Sequence, residues 1–290
     1  MIPGFYRGLE EALRFRVRAA GLRPVTIQVP TGSVHGWVGG SGPPLLLVHG
    51  FGGDALWCWH PQIRALARHR TLLVPDLPYF GFSKGDDQSF GLHDQAGAIH
   101  AWLDALGVRR VDAVGISYGG LVLQALIQAE PALVRRLVLV DSPGPTYTDD
   151  DHAGLLNRFD VQDVADIVVP ERWEDVRRLI ELAWYQPPPT PRWLLRQVYT
   201  HMFTDRREQK RQLLRSLDDL RAELGAGDYT LPPHTLLLWG AEDPLFPPEV
   251  GARFAATRSD ARLVVLDRTR HAPNLEASRA FNRHVLTALR

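Results

Sequence analysis

Short apolar runs recur along the first half of the chain, each closed by Gly, Pro, Asp or His: Val25–Val29, Val34–Val38, Leu45–Val48, Leu72–Val74 and Val111–Val114. Leu137–Val140, Leu236–Trp239 and Leu263–Leu266 extend the series to eight. Several of these are continuous in Val and Leu rather than alternating with polar residues, as strands buried on both faces are. Helical stretches (Trp59–Arg68, Leu92–Leu106, Leu121–Ala129) separate most of the later runs. Strand, helix and strand in that order build a parallel sheet. Only Pro30-Thr31-Gly32-Ser33 joins the first two runs, too short for a crossover, so the second strand is expected antiparallel to the first, in a hairpin at the sheet edge. The pattern predicts an α/β fold: an eight-stranded, mostly parallel sheet with helices on both faces.

Between Val140 and Leu236 the strand-like runs stop. Helical stretches replace them at Glu171–Tyr185, Pro191–Phe203 and Arg206–Leu224, interrupted by Pro187-Pro188-Pro189. The chain therefore divides into an α/β core (23–144 and 231–290) and an inserted helical cap (145–230). Trp173, Trp184, Tyr185, Trp193, Tyr199 and Phe203 are expected to form an aromatic inner surface of the cap. Residues 1–22 are expected to form an amphipathic helix with Phe5, Leu9, Leu13 and Val17 on one face. That helix is a candidate for weak peripheral membrane contact; docking on the protein's own body is the simpler expectation.

The composition narrows the partners. With 33 basic and 33 acidic residues in 290 and a pI of about 7.2, the chain lacks the basic excess of a nucleic-acid or anionic-membrane binder. Cys58 is alone, which excludes an internal disulfide and a thiolate metal cluster, and its place between Trp57 and Trp59 suits a buried structural thiol. No apolar run reaches the roughly 18 residues of a membrane span, and charges from Glu10 to Arg18 break any signal-peptide core. A cytoplasmic monomer or homodimer is the resulting expectation.

The chemistry centres on Gly115-Ile116-Ser117-Tyr118-Gly119-Gly120, set between the run Val111–Val114 and the helical stretch Leu121–Ala129. A tight strand-to-helix turn strains the serine backbone, needs small neighbours and presents the hydroxyl beside the helix N-terminus. A serine nucleophile needs a base, and the base an orienting acid. His271, just after Leu263–Leu266, is the candidate base among eleven histidines. Asp243, after Leu236–Trp239, is the candidate acid; Asp141 and Glu242 are rivals, with a turn or helix cap as the alternative role for Asp141. The amides of Tyr118 and Phe51 are the candidate oxyanion donors, Gly52 standing second to Phe51 in the loop His49-Gly50-Phe51-Gly52-Gly53. His49 itself is expected to hold that loop rather than to act as a base. Gly50, Gly52, Tyr79, Trp184 and Leu245 are candidate pocket residues.

With these pieces the chain resembles the α/β-hydrolases of the capped esterase and lipase type. The oxyanion loop, the serine elbow, Gly240-Ala241-Glu242-Asp243-Pro244-Leu245-Phe246-Pro247 and His271-Ala272-Pro273-Asn274-Leu275-Glu276 all carry the resemblance, which covers most of the sequence. Two positions depart from it: Tyr79, in Asp76-Leu77-Pro78-Tyr79-Phe80-Gly81-Phe82-Ser83, and Arg270 both stand where glycine is common. The resemblance implies a serine hydrolase of esters with small to medium apolar acids or alcohols, acting through an acyl-enzyme and without metal or organic cofactor. A carbon–carbon bond hydrolase of ring-cleavage products is the alternative, against which Ile116 speaks, since asparagine tends to stand beside the serine there. A ligand receptor on the same scaffold is a further reading.

Overall fold

All eight apolar runs lie in strands of one sheet in the computed structural model, which describes residues 4–217 and 231–290. The strands are β1 (Leu22–Val29), β2 (Gly32–Gly40), β3 (Pro44–Val48), β4 (Thr71–Pro75), β6 (Val111–Ile116), β7 (Val134–Val140), β8 (Leu236–Gly240) and β9 (Arg262–Leu266). A ninth, β5 (Lys84–Gly85), pairs with the start of β2 through Gly32 and Ser33. Two polar or small residues carry no hydrophobic signature, so the expected count fell one short. The order is β1-β2-β4-β3-β6-β7-β8-β9. β2 runs antiparallel to β1, β4 and β5, as the short connection requires; from β4 through β9 the main path is parallel. The loops after β3, β4, β6, β7, β8 and β9 therefore gather at one edge.

Alternate residues of each strand feed two cores. Leu46, Val48, Leu73, Ala113, Leu137 and Leu237 pack under α3 (Leu92–Ala105) and α4 (Tyr118–Ala129). Leu45, Leu47, Leu72, Val74, Val114 and Val138 pack under α2 (Ala55–Leu66) and the C-terminal helix Ser278–Ala288. Burial on both faces explains why these strands lack polar alternation. Helix α2 begins four residues earlier than its pattern suggests because the Asp54 carboxylate accepts the Trp57 N–H and caps it. Pro61 inside it cannot donate to the Trp57 carbonyl; the His60 imidazole does so instead, at 3.2 Å.

Helix α1 (Phe5–Ala19) docks on the protein's own body, against α2 and β1. Its buried stripe is Tyr6, Leu13 and Val17 rather than the expected Phe5, Leu9, Leu13 and Val17. Tyr6 lies between Trp57 and His201, both stacked at ring distances of 5.2 and 4.8 Å, which rotates Phe5 and Leu9 to the margin. No helix among the described residues is long and apolar enough to cross a membrane.

Between β7 and β8 lie α5 (Asp149–Phe159), α6 (Ala165–Val168), α7 (Asp175–Ala183), α8 (Arg192–Met202) and α9 (Arg207–Arg215). The expected stretch Arg206–Leu224 is seen as α9, and its part beyond residue 217 lies outside the described residues. Three of the aromatic residues of this region pack among its helices or against α1: Arg196 covers Trp173, Trp193 meets Phe5 edge-on, and the Tyr199 hydroxyl donates to the Glu171 carbonyl at 2.5 Å.

Candidate active site

Ser117 occupies the turn from β6 into α4 with φ 53° and ψ −123°, a conformation that L-residues rarely adopt and that local packing must hold. Its neighbours show why they are glycines. A Cβ on Gly115 would stand 2.6 Å from the Gly119 carbonyl oxygen, and one on Gly119 would stand 2.4 Å from the carbonyl oxygens of Val48 and His49. Helix α4 thus rests directly on the end of β3. The Ser117 N–H donates to the Val140 carbonyl at 2.8 Å, tying the turn to β7.

The loop after β3 lies against this turn: a Cβ on Gly50 would come within 3.4 Å of the Ser117 Cβ. His49, wholly buried, holds it as expected. Its Nε2 accepts the Leu77 N–H at 2.9 Å, so the proton is on Nδ1, which donates to the Gly50 carbonyl at 2.8 Å. Burial lowers its pKa and keeps the ring neutral. Among the described residues neither the Phe51 nor the Tyr118 amide donates to a backbone oxygen, and their rings meet edge-on at 5.3 Å.

His271 Nδ1 stands 2.8 Å from Asp243 Oδ2. The other carboxylate oxygen of Asp243 accepts the N–H groups of Leu245 and Phe246, at 2.8 and 3.2 Å, which fixes the acid's orientation. Of the rival acids, Glu242 turns away to accept the Arg268 and Thr269 amides. Asp141 is fully buried at φ 43°, its Oδ1 accepting the Gly240 N–H at 2.8 Å. Side-chain ligand atoms of Asp141, Asp243 and His271 lie within 4.8 Å of one another. Burial and the Asp243 carboxylate raise the Asp141 pKa well above the usual range. Asp141 Oδ2 meets no donor, so a proton on it, shared towards Asp243, is the arrangement that spares two adjacent buried charges. Two carboxylates and an imidazole are also a possible donor set for a divalent cation. The commitment of both Asp243 oxygens, with Asp141 neutral, makes this one a poor cradle.

Helix α7 is tied to the histidine loop. The His271 and Ala272 amides donate to the Leu182 and Ala183 carbonyls at 3.3 and 3.1 Å. Glu276 accepts the Tyr185 N–H through Oε1 and the Arg270 N–H through Oε2, at 2.7 and 2.8 Å. Arg270 keeps a negative φ, so its replacement of glycine leaves this loop unstrained. Tyr79 is different: it sits at φ 71°, where glycine is favoured, held by stacking on Phe90 and by its hydroxyl's bonds to the Asp86 and Ser89 carbonyls.

A cavity of about 240 Å³ opens beside this site, with Leu121, Pro143, Gly144, Leu155, Leu214 and Phe246 in its wall. Leu121 is one turn beyond Ser117, and the Phe246 ring lies 5.7 Å from that of His271. None of the five expected pocket residues lines it. Gly50 lies by Ser117, and Leu245 is buried with Leu155 and Leu182. Trp184 follows α7, Gly52 has open space around it, and Tyr79 lines a separate cavity. The wall residues gave no sequence signal because they come from α4, the loop after β7, α5, the link from α5 to α6, α9 and the acid loop, and meet only in space.

The chain belongs to the α/β-hydrolase family: residues 43–278 match the family described as alpha/beta hydrolase fold. It is 30% identical to a 2-hydroxy-6-oxo-2,4-heptadienoate hydrolase of Pseudomonas putida over 258 residues, 85% of this chain and 88% of the relative. It is 27% identical to Lipase 1 of Psychrobacter immobilis over 248 residues, covering 82% and 74% of the two chains. Among solved structures, a membrane phospholipase A described as a bacterial virulence factor superposes with TM-score 0.80 at 26% identity, over 99% of this chain and 92% of that one. The protein is thus a hydrolase whose relatives include both carbon–carbon bond hydrolases and lipases.

Proposed function

We propose that this hydrolase cleaves carboxylic esters with an apolar acyl group through an acyl-enzyme on Ser117. The observation that carries the reading is a strained serine and a hydrogen-bonded Asp243–His271 pair on the same sheet edge. In this mechanism Ser117 Oγ attacks the ester carbonyl and its proton passes to His271. Asp243 orients the ring and stabilises the imidazolium. The Tyr118 and Phe51 amides hold the oxyanion, and the alcohol leaves with the proton from His271. Water, deprotonated by the same imidazole, then releases the acid. The 240 Å³ cavity supports an acyl group of short to medium length. The resemblance to a lipase and, along 99% of the chain, to a membrane phospholipase A supports lipid-derived esters.

The 30% identity to the heptadienoate hydrolase favours a second reading, cleavage of a carbon–carbon bond next to a ketone by the same three side chains. Steady-state assays separate them. p-Nitrophenyl esters from acetate to palmitate are expected to turn over best near butyrate to octanoate, with activity abolished in Ser117→Ala. Loss of the ultraviolet absorbance of a 2-hydroxy-6-oxo-dienoate, with no ester turnover, would instead establish the second. Ester turnover surviving in Ser117→Ala would overturn both.

A further inference from the structure

A second cavity, of about 210 Å³, lies between α1, the loops after β3 and β4, and the segment joining α8 to α9. Its charged wall residues are Glu10, Asp54, Asp205, Arg206 and Lys210, and Phe51 is among the apolar ones. Lys210 is only 8% exposed. Its ammonium donates to the Met202 carbonyl at 3.1 Å and lies 5.3 and 5.9 Å from the ring centres of Phe80 and Phe203. Among the described residues no carboxylate oxygen comes within 4.0 Å of it.

The nearby carboxylates are engaged elsewhere. Glu10 pairs with Arg14 at 2.6 Å, and Asp205 with Arg206 at 3.0 Å. Asp54 accepts the Trp57 N–H at the start of α2, and burial beside Asp76 raises it to about 7, so its negative charge is only partly present near neutral pH. Lys210 has three N–H donors and spends one on Met202. Two aromatic faces help to hold the cation but fall short of what a buried unpaired charge forgoes in hydration. Burial and the Arg206 guanidinium depress the ammonium to about 8, against the opposing pull of the Asp205 and Asp54 carboxylates.

We infer that this cavity is an anion subsite in which Lys210 meets a carboxylate or phosphate group. Phe51 belongs both to its wall and to the loop proposed to hold the oxyanion, so the cavity adjoins that loop. With the acyl group in the cavity beside Phe246, the anion belongs to the alcohol half of the substrate. That assignment, though not the site itself, rests on the ester-hydrolase reading. The substrate class becomes acyl esters of an anionic alcohol, such as a glycerol phosphate.

Two measurements test it. Inorganic phosphate is titrated calorimetrically into the wild type, Lys210→Met and Lys210→Arg. Binding is expected in the wild type, kept in Lys210→Arg and weakened at least about tenfold in Lys210→Met, as losing a charge-assisted hydrogen bond implies. Phosphate protection of Lys210 from reductive methylation, read by peptide mass spectrometry, reports the same contact in the unaltered protein and stands even if a variant fails to fold. No phosphate binding by the wild type, or equal binding by Lys210→Met, overturns the site. The second measurement compares kcat/KM for 1-butyryl-glycerol 3-phosphate and for monobutyrin. A preference for the phosphate ester that vanishes in Lys210→Met makes the anion part of the substrate; phosphate binding without such a preference makes it a separate ligand. Turnover of neither ester counts against the ester reading and leaves the phosphate titration to decide the site.

Discussion

Asp141→Asn probes the protonation of the acid pair directly. Asparagine is close in shape to a protonated aspartic acid: its amide N–H can still reach Asp243, and its oxygen can still accept the Gly240 N–H that Asp141 accepts at 2.8 Å. In the unfolded chain Asp141 titrates near the ordinary value of about 3.9; in the fold, burial and the Asp243 charge hold its pKa well above that. Below both values the acid is protonated in either state and contributes nothing to pH dependence. Between them the native state keeps a proton that the unfolded state has lost, so stability falls as pH rises, by up to about 1.4 kcal/mol per pH unit. For a chain of this size each pH unit in that window corresponds to roughly 3–6 °C in melting temperature. Asp141→Asn removes this loss, and titrations remote from the acid pair cancel in the difference between the two proteins. The expected result is a Tm difference near zero at pH 4 that grows in favour of the variant towards pH 7. Activity on p-nitrophenyl butyrate should stay within about tenfold of wild type, whereas Asp243→Asn, which removes the acid paired with His271, should lose on the order of 10⁴. Parallel Tm curves would show that Asp141 is ionised in the native state. Collapse of activity in Asp141→Asn with Asp243→Asn still active would make Asp141 the orienting acid.

Three further substitutions are informative. Gly119→Ala forces a Cβ against the backbone oxygens of Val48 and His49 at 2.4 Å; a loss of about 2–4 kcal/mol in urea unfolding is expected, as for other overpacked or strained sites. Asp112 is fully buried between Arg70 and Arg135, at 2.6 and 2.8 Å, so Asp112→Ala leaves Arg70 without its carboxylate. That should destabilise by about 3–5 kcal/mol while the folded fraction keeps its kcat. Leu121→Trp fills part of the 240 Å³ cavity. The ratio of kcat/KM for octanoate to that for acetate should fall by about tenfold or more, at the 0.8 kcal/mol carried by each excluded methylene; an unchanged chain-length profile would place the acyl group elsewhere.

Much of the architecture was legible because it rests on local signals. Gly115 and Gly119 flank Ser117 as the close approach of β6, α4 and β3 demands, and the four-residue link at Pro30–Ser33 leaves β2 no choice but to reverse. His271 and Asp243 could be singled out because each follows an apolar strand run, and the fold brings them to 2.8 Å. Less was legible about the pocket. Trp193 and Tyr199 are aromatic for packing among the helices and against α1, not for lining the 240 Å³ cavity. Tyr6, outside the expected apolar stripe, is buried because Trp57 and His201 come from distant segments to stack on it.

The sequence by itself determined the order of strands and helices, the reversal of β2, the strained serine turn and the Ser, Asp, His succession. Each follows from periodicity, link length or steric need within a few residues. Tertiary structure alone decided the fate of groups whose character depends on neighbours far along the chain. Asp141 became a proton-holding acid because Asp243, about a hundred residues on, shares its buried site. Lys210 became a buried cation because α9 folds over Phe80 and Phe203. The cavity beside Phe246 exists only where six separate segments meet. Desolvation and cavity shape are properties of the assembled surroundings, and no local pattern encodes them.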